Sequence, residues 1–184
     1  MKSMASLRKF IRNRGGVVAT EFALVAPILI LLWVGMVELA TAFLVSQKVE
    51  IAAQSAADII AQDKFTDSSK LANVDAAIKT ILVPYVPANM GYRIASIVAD
   101  ADGDRAVAWN EPGGTVTVPV PDETVAQNLT TTNDSVIVVT VTYNHIPVFV
   151  DRIIGRSIFG GSTSVALNAT VYARPRLVPV IPRN

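Results

Sequence analysis

Sixteen consecutive residues, Phe22 to Val37, carry no charged side chain, and after Glu38 the apolar character resumes from Leu39 to Val45. No other feature restricts the fold as strongly. As an α-helix the 24 residues Phe22–Val45 would span roughly 36 Å, more than the ~30 Å hydrocarbon core of a bilayer. Fourteen of them are Leu, Ile, Val or Phe. Their insertion contributes about −4 to −8 kcal/mol, against roughly +2.5 to +3.5 kcal/mol for one carboxylate at mid-membrane. One central acid is tolerable, whereas two would nearly cancel the drive. Glu21 and Glu38 are therefore expected near the two ends of a transmembrane helix. Pro27 removes one backbone hydrogen bond and is expected to bend the helix, which membrane helices tolerate.

Charge is distributed unevenly along the chain. Lys2, Arg8, Lys9, Arg12 and Arg14 fall in the first 16 residues, which contain no acid. The rest holds 11 basic against 15 acidic residues, although the formal net charge is only +1. A basic front on an acidic body indicates a targeting segment rather than a nucleic-acid binder. It places the N-terminus in the cytoplasm and the body outside. The absence of cysteine excludes disulfides, thiolate zinc sites and cysteine nucleophiles, and a single histidine excludes a multi-histidine metal site. Ala40-Thr41-Ala42 resembles a signal-peptidase site, but the apolar core exceeds the ~7–15 residues usual for a signal peptide.

The junction before the span is Arg14-Gly15-Gly16-Val17-Val18-Ala19-Thr20-Glu21-Phe22. A basic leader ends in glycine, an apolar helix begins at once, and a glutamate stands at the fifth position after Gly16. Cutting after that glycine would expose an α-amino group beside an apolar helix, with a carboxylate one turn along. Within one chain, helical geometry pairs these two groups poorly. Between neighbouring subunits the pair would fix axial register, and an unpaired acid in lipid is costly enough to favour assembly. The alternative is a simple anchor whose Glu21 sits among the headgroups. Glu38 likewise is either an interfacial residue or a contact to a partner helix.

This opening resembles the processing site of type IV prepilins, cut on the cytoplasmic side by a prepilin peptidase. With Ala23-Leu24-Val25-Ala26-Pro27 and Leu31-Leu32-Trp33-Val34-Gly35-Met36-Val37-Glu38-Leu39 following, residues 14–45 resemble the TadE-like family. Those are minor pilins or pseudopilins of the Tad/Flp tight-adherence pilus, with a GxxxxEFA-type opening and a second glutamate late in the span. The resemblance implies processing between Gly16 and Val17, and assembly roles for Glu21 and Glu38. It also implies a bacterial inner-membrane location with the C-terminal domain periplasmic, and either insertion into a pilus or priming of its assembly. The implied partners are the inner membrane, the prepilin peptidase, other pilus subunits and the assembly platform, without nucleic acid, cofactor or catalytic activity. An uncut, membrane-tethered binding module is the competing expectation.

Four segments follow: a leader at 1–16, a transmembrane helix at 17–45, extracytoplasmic helices at 46–83, and a β-rich domain at 84–184. One helix of about 45 residues is predicted from near Val18 to near Lys64, since no Gly or Pro occurs between Met36 and Lys64. Its second half is amphipathic, with Val45, Val49, Ala52, Ala56, Ile59 and Ile60 at 3/4 spacing. Thr66-Asp67-Ser68-Ser69 can start a second helix carrying Leu71, Val74, Ile78, Ile81 and Leu82, stopping before Pro84. Strands are expected at Tyr92–Ala99, Arg105–Trp109, Ser135–Tyr143 and Ser164–Ala173, with Val116–Val120 as a short edge segment between prolines. The apolar stretch within 144–163 should fold back on the body or bind something. Pro175–Asn184 is expected to trail off the sheet. The fold class is α+β, a pilin-like arrangement of two helices and an antiparallel sheet of about four strands.

Two candidate sites remain. Asp100, Asp102, Asp104 and Glu111 occupy positions 1, 3, 5 and 12 of an EF-hand pattern, but Arg105 stands where that pattern requires glycine and the flanks are strands. An acidic hairpin turn is the favoured interpretation. His145 ends the strongest strand without a matching catalytic constellation. Arg174 and Arg176 are either solvated terminal charges or a contact to an anionic surface.

Overall fold

A computed structural model describes residues 15–147, 149, 151 and 164–184. The basic leader side chains of Lys2, Arg8, Lys9, Arg12 and Arg14 lie outside the described residues, as do Ile153, Ile154, Ile158 and Phe159 of the apolar stretch. The elements run α1 (Gly15–Ala61), α2 (Ser68–Leu82), β1 (Met90–Ala99), β2 (Arg105–Gly114), β3 (Ser135–His145) and β4 (Val165–Ala173). The four strands form one antiparallel sheet in the order β2-β1-β3-β4. This is the predicted α+β class. Two compact units divide the chain, the first ending at Ala40 and the second comprising Thr41–Asn184.

The first unit is the early part of α1, helical through Pro27. Its large side chains point outward almost all round: Leu24, Trp33 and Met36 are 65–75% exposed. Such a surface is stable only in an apolar medium, and α1 is long and apolar enough to cross a membrane.

In the second unit α1 buries Val45, Val49, Ala52, Ala53, Ala56, Ala57 and Ile60. The alanines let the helix approach its neighbours closely. Ile59, expected on this face, is 38% exposed, because one residue of helical advance turns it away from the side Ile60 occupies. The helix stops at Ala61 rather than near Lys64, and the Arg176 N–H donates to the Ala61 carbonyl at 2.9 Å. Asp67 caps α2 by accepting from the Lys70 N–H at 2.8 Å. Leu71, Val74, Ile78 and Leu82 form its buried face. At its other end, Lys48 Nζ of α1 donates to the carbonyls of Ile81 and Val83 at 3.1 and 2.7 Å, satisfying acceptors the helix leaves over.

β1 and β3 are the buried central strands. Ile137, Val139, Val141 and Tyr143 pack against the helices, while Val136 and Val138 join Ile97 and Ala126 on the other face. That is the alternation expected for a strand covered on both sides. β2 runs five residues beyond its predicted end at Trp109, and tolerates Pro112 because it is an edge strand.

Val116–Val120 forms no strand, contrary to expectation. Gly114, at φ +79°, turns the chain, and the N–H groups of Thr115 and Val116 both donate to the Met90 carbonyl. The segment then crosses Gly91, where any Cβ would overlap the Val116 carbonyl, and Arg93, whose Nε donates to the Val118 carbonyl at 2.6 Å. Pro119 and Pro121 lack the N–H groups a ladder needs.

The C-terminal residues are also corrected. Pro175–Asn184 does not trail away but straps the domain. Ile181 is fully buried, and the Ser135 hydroxyl donates to the Pro179 carbonyl at 2.8 Å. Thr66 forms a parallel bridge with Arg183: its N–H donates to the Pro182 carbonyl, and its carbonyl accepts from the Asn184 N–H, each at 2.9 Å.

Candidate functional site

The described helix begins at Gly15, directly at the leader junction. Gly16 has open space around it, and a side chain there would meet nothing within 4 Å. Val17 and Val18 are 57% and 66% exposed. The Thr20 hydroxyl donates to the Val17 carbonyl at 2.8 Å, three residues back, which fixes that side chain against its own helix. Glu21 is exposed and lies four positions after Val17, on the same side of the helix one turn along. The peptide bond after Gly16 is therefore exposed, and the Glu21 carboxylate stands one turn further along the helix.

Glu38 is half-buried, seventeen positions beyond Glu21. At the helical rise this separates the two carboxylates by about 26 Å along the axis, close to the ~30 Å hydrocarbon thickness. The same count rotates them about 100° apart, so they serve different sides of the helix. One cannot be the partner of the other.

The acidic loop is a hairpin turn that uses its own carboxylate. Asp100 Oδ1 accepts from the N–H groups of Asp102 and Asp104 at 3.0 and 2.8 Å. Glu111 lies away on β2, paired with Arg183 at 2.6 Å. Among the described residues no three His, Asp or Glu side chains gather as a metal site. The Arg105 guanidinium bonds the carbonyls of Gly103, Gln127 and Thr130 and the Thr130 hydroxyl, tying the turn to the body.

His145 is buried on the helix-facing side of β3, and its Nε2 has no partner among the described residues. A groove of about 410 Å³ on the opposite face of the sheet is lined by Val116–Pro119, Thr140, Thr142, Asn144, Ala166, Asn168 and Thr170. Hydroxyl and amide groups line it, with no ionisable side chain. Arg174 and Arg176 hold protein atoms: Arg174 Nε donates to the Leu129 carbonyl at 3.0 Å, and Arg176 pairs with Asp58 at 2.5 Å. Sequence reasoning missed these pairings and the strap they belong to. The only prior signal was two arginines placed just after a strand.

Residues 16–58 match the model of the TadE-like protein family, which covers the helix start, both glutamates and most of the amphipathic half of α1. The match spans 43 of the 184 residues. No curated relative and no solved structure matches the chain.

Proposed function

We propose that this protein is a minor pilin or pseudopilin of a Tad-type pilus, made as a single-span inner-membrane precursor and cut between Gly16 and Val17. The family match over residues 16–58 supports this reading most strongly. The cut leaves the Val17 α-amino group at the head of an apolar helix, with Glu21 one turn below. In lipid the carboxylate is costly without a cationic partner, and a neighbouring subunit's new amine is the partner of suitable charge and depth. Pairing in trans sets each helix at a fixed height against the next. Glu38, on another side of α1, meets a second helix or the headgroups. The protein is structural and carries no catalytic activity or cofactor. Its partners are the prepilin peptidase, the other pilins and the assembly platform.

N-terminal peptide mass spectrometry on the protein from its native host tests the proposal. A mature chain beginning at Val17 is expected. A functional protein that retains Met1 would instead be an uncut, membrane-tethered module.

A further inference from the structure

We propose that the groove on the sheet face away from the helices binds a neutral saccharide. The whole of it belongs to the Thr41–Asn184 unit, so it is the same groove whether or not the chain is cut after Gly16. Its floor is a grid of side chains on β3 and β4: Thr140 stands opposite Thr170, Thr142 opposite Asn168, and Asn144 opposite Ala166. Its wall is the 116–119 crossing. The Val116 N–H anchors that wall to the Met90 carbonyl at 3.1 Å, and the Val118 carbonyl accepts from Arg93 Nε at 2.6 Å. The site is therefore built before any ligand arrives, which lowers the ordering cost of binding. Its volume of about 410 Å³ falls within the ~300–1,000 Å³ of small-molecule sites.

The chemistry of the lining selects the ligand. β3 and β4 contain no Asp, Glu, Lys or Arg, although β4 is an edge strand, where charged side chains ordinarily guard against stray pairing. Arg93, on the same face of β1, donates to the Val118 carbonyl and to Asn110 Oδ1. Glu50 belongs to a separate cleft, beside Ala169 and Val171 on the helix side of β4. A charged ligand in the groove would thus find no counter-charge. Thr140 and Thr170 bond each other at 3.0 Å, but Thr142, Asn144 and Asn168 have no side-chain hydrogen bond among the described residues. An apolar partner would strip these three of water and return nothing. A peptide strand adds through backbone groups at a sheet edge, whereas the floor here is a sheet face.

A sugar ring meets both demands. Its hydroxyls donate and accept, as the amides and hydroxyls of the grid do, and its C–H face can lie on Val116, Pro119 and Ala166. Neighbouring grid positions are about 5 Å apart across the strands and roughly 7 Å apart along them. Thr142, Asn144 and Asn168 make three polar corners of one cell of that grid, and the small Ala166 leaves room at the fourth. One ring seated there reaches all three unpaired side chains.

Isothermal titration calorimetry on the full chain, in lauryldimethylamine oxide micelles that carry no sugar headgroup, tests the groove. The probes are the neutral trisaccharides maltotriose, cellotriose and triacetylchitotriose, with trigalacturonic acid as the anionic counterpart. At least one neutral probe should bind with a millimolar or lower Kd, and more tightly than trigalacturonic acid. Asn144→Ala and Asn168→Ala should each weaken that binding roughly three- to tenfold, the scale of one lost hydrogen bond. Gln54→Ala, which removes an exposed amide from α1, should leave it unchanged. In the wild-type chain the bound sugar should slow hydrogen exchange at Thr117 and Val118, a readout that needs no variant. No binding of any neutral probe at millimolar concentration, binding that both asparagine variants leave intact, or tighter binding of trigalacturonic acid would each overturn the proposal. So would groove amides protected only as protein concentration rises, which would assign the face to a second copy.

Discussion

Trp109 Nε1 donates a 2.8 Å hydrogen bond to the carbonyl of Ile181, joining an edge strand to the C-terminal strap across 72 positions. Ile181 is fully buried beside it, and Arg183 pairs with Glu111 two positions further along β2. The strap thus closes one border of the core with backbone acceptors rather than with another strand. Trp109→Phe keeps most of the apolar contact but leaves a buried carbonyl unsatisfied, which should cost about 2 kcal/mol. Ile181→Ala should cost about 2–5 kcal/mol through the cavity it opens. Urea unfolding of the full chain in detergent measures both, and wild-type midpoints for the pair would show that the strap is not part of the cooperative unit.

Gly91 sits beneath the 115–118 crossing, where a methyl group would collide with the Val116 carbonyl. Backbone cannot swing aside as a flexible side chain can. Gly91→Ala should therefore destabilise by about 1–3 kcal/mol or more, as overpacking does. Gly103→Ala makes an informative contrast. Open space surrounds that position, and its cost arises from the +87° φ alone. Thermal unfolding of the two variants should show Gly91→Ala as the more damaging, with loosened 115–118 amides in hydrogen exchange.

Burial pushes the Tyr92 hydroxyl above its ordinary value near 10, and the negative charge and hydrogen bond of Asp75, then the charge of Glu111, act in the same direction. The folded chain holds this proton more tightly than the unfolded chain does. The stability tied to it is fully present below about pH 10 and is lost as pH rises through the folded-state value. The advantage of wild type over Tyr92→Phe should be constant below about pH 10 and shrink above it. Paired urea titrations across that range measure the difference, and a gap that persists unchanged in alkali would contradict the assignment.

Legibility in the sequence followed the range of the forces involved. The apolar run of α1, the 3/4 spacing of Leu71, Val74 and Ile78, and the alternation in Ser135–Tyr143 each reflect burial repeated along a single element. Local pattern therefore identified them. The family match that starts at residue 16 was foreshadowed for another reason, since the spacing of Gly16 and Glu21 lies within one helix and is read from the sequence directly. What escaped depends on distant partners. Residues 175–184 contain prolines and no period, and their role arises from acceptors offered to Trp109, Ser135 and Thr66, whose positions no local pattern contains. Val116–Val120 has the composition of a strand, yet the side-chain-free surface at Gly91 makes it a crossing. The Asp100–Glu111 spacing imitates a calcium loop only while the chain is treated as linear. In a hairpin, Glu111 travels up the strand to Arg183.

Glu21 and Val17, the chain end in the proposed mature protein, lie one turn apart on an exposed face of α1, and this geometry sets the most direct test of the proposed assembly role. Replacing Glu21 by Ala removes a carboxylate whose insertion costs roughly 2.5–3.5 kcal/mol when it lies deep in lipid and less near the interface. Membrane insertion of Glu21→Ala should therefore equal or exceed that of wild type, as judged by the carbonate-resistant membrane fraction. Incorporation should fall sharply, because the variant no longer attracts a neighbour's amine. Glu21→Gln separates charge from shape: it should insert normally and fail in assembly almost as badly. Immunoblots of sheared pili and of the membrane fraction supply both readouts from one culture. Wild-type amounts of Glu21→Ala in the pilus fraction would show that register is set elsewhere on α1, with Glu38 the next carboxylate to replace.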